Sequence, residues 1–129
     1  MIRNKAQVQE YLLGRLKKSS SDIIESAIIS SDGLVLVSTA AETEYGDKIS
    51  ALAASIFKPS KKAAADLLLS GINFILVSGS ERTIYIKEIN EKLLLAVIVK
   101  QGADWDALQT HINAAAEDLR NIAKSKEKL

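Results

Sequence analysis

Residues 45–79 read YGDKISALAASIFKPSKKAAADLLLSGINFILVSG. An Ala-rich run of helical period stops at Gly71 and passes directly into a dense apolar strand. Apolar residues recur at Ile49, Leu52, Ala53, Ile56, Ala63, Ala64, Leu67 and Leu68, the spacing of a long helical stripe. The alanines let another backbone approach closely, while Lys48, Lys58, Lys61, Lys62 and Asp66 keep the run soluble. Packing on one sheet needs only a narrow stripe. This one is wide, which points to part of it serving a second subunit. Pro59 interrupts the run, and an interior proline removes a hydrogen bond at a cost of ~3 kcal/mol. Two alternatives follow: one helix kinked near Lys58, or two shorter helices meeting there.

Downstream, three strands are expected. Asn73 to Ser78 is followed by a Gly79-Ser80 turn, then by Glu81 to Ile89 and a turn at Asn90-Glu91-Lys92. Leu93 to Lys100 (LLLAVIVK) is apolar on both faces and should be the most central strand. Upstream, Ile23 to Ser30 (IIESAIIS) and Leu34 to Ser38 (LVLVS) flank Ser31-Asp32-Gly33, a hairpin signal because glycine tolerates the positive φ of a tight turn. Connections this short impose antiparallel pairing. The apolar character of both faces requires helices above and below the sheet. Those helices are at hand. Residues Arg3 to Lys18 present Val8, Tyr11, Leu12 and Leu16 on one face, and Ser19 to Asp22 break the run. Trp105 to about Lys126 presents Leu108, Ile112, Ala115, Ala116, Leu119, Ile122 and Ala123, with Asp104 as N-cap and Lys124, Lys126 and Lys128 at the opposite end.

The chain has 129 residues, a length expected for a single domain (residues 1–129, core about 4–124) that buries roughly two-thirds of its unfolded surface. A formal net charge of +1 is too balanced for a nucleic-acid binder. The absence of cysteine removes disulfides and thiolate chemistry and suits a reducing cytoplasm. No apolar run approaches the ~18 residues of a membrane span, and the N-terminal stretch lacks the apolar core of a signal peptide.

Little in the chain can carry catalysis. His111 is the one histidine and is expected to be a solvated surface residue. The carboxylate pairs Glu42/Glu44, Asp104/Asp106 and Glu117/Asp118 are explained by helix starts and a polar helix face. No phosphate-binding glycine loop, zinc-binding helix motif or nucleophile elbow occurs, so no cofactor and no metal are expected. Lys58, Lys61 and Lys62 form a small basic cluster, either a solvated helix edge or a patch for an acidic partner surface.

The order α-β-β-α-β-β-β-α, the Ser31-Asp32-Gly33 turn before LVLVS, the Ala-rich helix, INFILVSGS, RTIYIKEI, LLLAVIVK and the closing amphipathic helix together resemble the roadblock/dynein light-chain superfamily. Its members are small regulators of Ras-like GTPases and light chains of motor complexes. The resemblance implies an α+β, profilin-like fold. A five-stranded antiparallel sheet would carry the first and last helices on one face and the middle helix on the other. It also implies a middle helix that stays continuous, which Pro59 challenges. It implies a homodimer formed by middle helices and the edge strands that follow them, using Ile49, Leu52, Ala53, Ile56, Phe57, Asn73, Phe74, Ile75, Leu76 and Val77. The expected function is that of a non-catalytic homodimeric regulator of a small Ras-like GTPase. The alternatives are a scaffold or light-chain subunit, or a small-ligand sensor with a sizeable pocket between sheet and helix, which the aliphatic strands argue against. Apolarity supports the dimer independently, because an unpaired edge as apolar as FILV invites another strand.

Overall fold

The computed structural model describes residues 4–125. The expected helix start at Arg3 and the cations Lys126 and Lys128 lie outside the described residues. In chain order the elements are α1 (Lys5–Ser19), β1 (Ile23–Ser30), β2 (Val35–Ser38), α2 (Thr43–Asp66), β3 (Ile75–Ser78), β4 (Arg82–Asn90), β5 (Leu93–Lys100) and α3 (Trp105–Ser125). The five strands form one sheet in the order β2-β1-β5-β4-β3, and every neighbouring pair is antiparallel. Strand β5 is central and buried from Leu93 to Val99, as its two apolar faces predict.

Two separate cores result. On one face, Leu12, Leu13 and Leu16 of α1 meet Leu108, Ile112, Ala116 and Leu119 of α3 over Ile28, Tyr85, Leu95 and Val97. On the other, Ile49, Ala53 and Phe57 of α2 close over Ala27, Ile29, Ile86 and Ala96. Alternate residues of β1, β4 and β5 therefore serve opposite layers, which is why these strands carry no polar face. In α1 the buried face is Gln9, Leu12, Leu13 and Leu16, while Tyr11 is exposed, contrary to the expected placement. The i, i+3, i+4 set centres on Leu12 and Leu13 and leaves position 11 on its outer flank.

Helix boundaries follow local chemistry. Asn4 and Gln7 form a reciprocal capping box at the start of α1. Asp104 Oδ1 accepts from the Ala107 amide at 3.4 Å at the start of α3. Pro59 does not divide α2, which runs unbroken for 24 residues. Both Pro59 and Ser55, whose carbonyl loses its i+4 donor, are exposed, so water can satisfy that oxygen. The connections also differ in detail from expectation. Leu34 belongs to the β1–β2 turn, its carbonyl accepting from the Ser30 amide at 2.8 Å. Gly33 supplies the φ of +92° that this turn needs. Between β3 and β4 the Gly79 amide donates to the Arg82 carbonyl at 2.8 Å, placing Ser80-Glu81 rather than Gly79-Ser80 at the centre of the turn.

The apolar stripe of α2 stops short of Leu67 and Leu68. The Leu69 amide donates to the Ala64 carbonyl and the Leu68 amide to that of Ala65, the paired bonds of a Schellman ending. Its left-handed position is usually glycine, but here it is Leu68, with φ +60° and 87% exposure. A left-handed leucine costs about 1–2 kcal/mol, against about 0.5–1 kcal/mol for the added chain entropy of glycine. Leu68→Gly is therefore expected to raise unfolding free energy by about 0.5–1 kcal/mol, read as a higher urea midpoint at unchanged slope. A lower midpoint would mean that the exposed leucine makes contacts worth more than the strain.

Candidate recognition surface

The residues expected at a dimer contact fall into two groups. Ile49, Ala53 and Phe57 are buried against the protomer's own sheet, so they anchor α2 and offer nothing outward. At about 100° per residue Ile56 lies only about 20° round the helix from Ile49, whereas Leu52 lies about 60° from Ile49 and about 140° from Phe57, so Leu52 leaves the sheet-facing stripe and Ile56 sits at its margin. Leu52 is 49% exposed, and Ile56 is half-buried at the margin of the α2 core. Leu52 stands on the outer flank of α2, and Ile56 lies between it and the core.

Strand β3 is an edge of the sheet, paired only with β4. The strand is shorter than expected, since Asn73 and Phe74 precede it. The Asn73 carbonyl accepts from Lys87 Nζ at 3.2 Å, a side chain rather than a ladder partner. Opposite faces of the edge carry different residues. Ile75 and Val77 lie opposite Ile86 and Ile84 on the α2 side, and Leu76 lies opposite Tyr85 on the α3 side. Phe74, Leu76 and Val77 remain exposed at 40%, 41% and 43%. Phe74 stacks on Tyr85 at 4.9 Å between centroids, and Tyr85 on Trp105 at 5.9 Å, so an aromatic row runs from the edge to the start of α3. Burial pushes the Tyr85 phenol above its ordinary pKa.

Polar contacts fix the flank between α2 and β4. Arg82 Nη1 donates to the Tyr45 hydroxyl at 3.0 Å, and Lys61 Nζ reaches Glu88 Oε2 at 2.9 Å. The Glu88 hydrogen bond and charge hold the Lys61 ammonium above its ordinary pKa. Lys58 lies 3.7 Å from Asp32 on the β1–β2 turn, and Lys62 is exposed. The basic cluster is thus not a concerted patch, because two of its three cations face carboxylates of this same chain. His111 is not fully solvated as expected. It is half-buried in a small cleft between α1 and α3 beside Leu12, Leu16, Ser19 and Asp118.

Sequence reading missed two apolar exposures. Leu34 and Leu36 stand out at the opposite sheet edge, and Leu67, Leu68 and Leu69 crown the end of α2. Leu36 was legible only as part of a strand, since its exposure depends on how far α2 extends over β2. No group of three or more His, Asp or Glu able to hold a metal occurs among the described residues. No helix among them is long and apolar enough to cross a membrane.

Comparison with solved structures finds the same architecture repeatedly. A Roadblock/LC7 domain from Streptomyces avermitilis aligns with a TM-score of 0.84 at 18% identity, covering 89% of this chain and 97% of that one. MglB of Myxococcus xanthus aligns with a TM-score of 0.86 at 15% identity, over 97% and 94% of the two chains. An MglB structure described as having a tetrameric arrangement aligns at 0.84 and 20% identity, over 97% and 94%. Likeness at such identities establishes the fold. Comparison with curated protein sequences gives no match. The sequence model of one family, the Roadblock/LC7 domain, matches residues 9–99, from the first turns of α1 to the end of the central strand, and the chain therefore belongs to the Roadblock/LC7 domain family.

Proposed function

We propose that this chain is a non-catalytic, homodimeric regulator that binds a small Ras-like GTPase in the cytoplasm and modulates its GTP/GDP state. The observation that carries the proposal is the exposed Leu52 and half-buried Ile56 on α2, together with the sheet-edge strand β3, in a member of the Roadblock/LC7 domain family. A second copy related by a twofold axis would pair β3 with β3 and α2 with α2, joining two five-stranded sheets into one. The interface residues are then Leu52, Ile56 and Asn73 to Val77, with Ile49, Ala53 and Phe57 holding α2 in place. The tetrameric arrangement of one MglB neighbour supports self-association in this fold. A regulatory rather than catalytic role is supported by the titratable groups. Among the described residues, the groups with a resolved pKa shift are Lys61, Tyr85 and Lys87, and they stand in an ion pair, an aromatic stack and a basic cleft rather than as an acid–base pair.

Such a protein acts only by binding the two nucleotide states of its GTPase unequally, and its effect is bounded by that difference. Titration against the host's small Ras-like GTPases, loaded with GDP or a non-hydrolysable GTP analogue, is expected to give about tenfold or greater preference for one state. Equal or absent affinity for both states across the set removes the regulatory role. Nucleotide-independent co-purification with another protein would instead identify a scaffold or light-chain subunit.

A further inference from the structure

A cleft of about 660 Å³ opens on the α3 side of the sheet, where the last turns of α3 pass the end of β4 and the entry to β3. Four of its lining residues are cations: Lys87 on β4, Lys92 on the β4–β5 turn, and Arg120 and Lys124 on α3. The two inner ones are held by main-chain carbonyls. Lys87 Nζ donates to the Asn73 carbonyl at 3.2 Å, and Arg120 Nε donates to the Ile89 carbonyl at 2.9 Å. Their heads are thus fixed on facing walls, one on the sheet and one on the helix. Burial, and then the positive charge of Arg120, pull the Lys87 ammonium below its ordinary pKa. Lys87 is thus a cation crowded by a second one in a partly dry site, and an anion between them would relieve it.

Glu88 and Glu91 also line the cleft and Glu117 borders it, yet none of the three forms an ion pair with Lys87. Glu88 points to the opposite side of the sheet, where it accepts from Lys61 at 2.9 Å. Glu91 lies exposed on the turn. Glu117 pairs with Arg120 through Nη1. That interaction leaves Lys87 without a carboxylate partner among the ion pairs of the described residues. The C-terminal end of α3 opposes an anion by its dipole, and Lys124 in the last turn offsets it. Ile72 and Ala123 add apolar wall, and the volume is that of a small-molecule site.

We propose that this cleft binds a small organic phosphate, with its phosphoryl group between Lys87 and Arg120 and its organic part against Ile72 and Ala123. Charge concentrated at one point suits a compact dianion, whereas an acidic peptide would call for cations spaced along a track. Lys92 and Lys124 at the rim would draw the ligand in. The site lies outside the strip assigned to self-association, and touches it only at Asn73.

The test is a nitrogen-15 NMR titration of the full chain with ribose 5-phosphate, inorganic phosphate, ribose and a glutamate-rich peptide. Ribose 5-phosphate is expected to give saturable shifts at Asn73, Lys87 and Arg120, with inorganic phosphate weaker and ribose inert. Lys87→Gln and Arg120→Gln should each weaken binding by about tenfold or more, and Lys58→Gln should leave it unchanged. A direct readout needs no variant: the Lys87 ammonium pKa, followed by its side-chain carbon signal, should rise when ribose 5-phosphate is added. Non-saturable shifts spread over Lys58, Lys61 and Lys62, an unmoved Lys87 pKa, or binding of the glutamate-rich peptide alone would each overturn the proposal.

Discussion

Phe57→Ala is expected to remove about 3–5 kcal/mol of folding free energy. Phe57 is only 5% exposed and is the one aromatic ring among the buried residues of the core under α2, whose other buried members are Ala, Ile and Leu, with Tyr45 packed at its margin. Ala27, Ala53 and Ala96 bring α2 close to the sheet, so the space around the ring is set by backbone and short side chains that cannot collapse into a cavity. The cost is the transfer free energy of the ring plus the void it leaves. In a chain of this length that corresponds to a fall in melting temperature of about 10–20 °C. Phe57→Leu, which keeps most of the volume, should lose less than half as much. Calorimetry or urea unfolding of the three proteins decides the matter. A loss below about 1 kcal/mol for Phe57→Ala would show that Phe57 is not on the inner face and that α2 is rotated from the orientation described.

The legible parts of the fold were those in which every local signal agreed. Leu93 to Val99 is apolar at each position, which only a strand covered on both faces tolerates, and it is the central strand. Ser31-Asp32-Gly33 needed a positive φ and Gly33 has it. The α3 stripe and its Asp104 cap were equally plain. What sequence could not resolve was the direction of the α2 face. Ile49, Leu52, Ala53, Ile56 and Phe57 are all apolar, and nothing in their identity says which ones meet the sheet. That depends on the alanines at positions 27, 53 and 96 meeting across the core, which is a non-local fact. Leu67 and Leu68 fit the helical period yet leave the helix, because the Schellman bonds end it at Asp66. The Lys87–Arg120 cleft was invisible for the same reason: its walls are 33 residues apart in sequence and converge only through the packing of α3 on β4.

The same orientation of α2 fixes the second large effect. Position 52 is five residues from 57, or about 140° around the helix, so what buries Phe57 turns Leu52 outward. Leu52→Glu should therefore leave the protomer folded, since its side chain is already half in water. In a twofold interface it places two carboxylates against an apolar partner surface. An unpaired charge buried there costs about 3 kcal/mol or more, so dimer affinity should fall by over about a hundredfold. Leu76→Lys on the exposed edge of β3 should act alike, placing charge on the strand proposed to pair across the axis. Leu36→Lys, on the opposite edge, should have no effect on the mass. Light scattering after size exclusion is the measurement: wild type and Leu36→Lys near twice the 14.0 kDa of the chain, Leu52→Glu and Leu76→Lys near that mass itself. A dimer that survives Leu52→Glu and Leu76→Lys but dissociates with Leu36→Lys would move the contact to β2. A wild type that stays monomeric at all concentrations would remove the dimer altogether. Far-ultraviolet circular dichroism of each variant separates loss of partner from loss of fold, because a monomer that keeps its helix and sheet signal has lost only the contact.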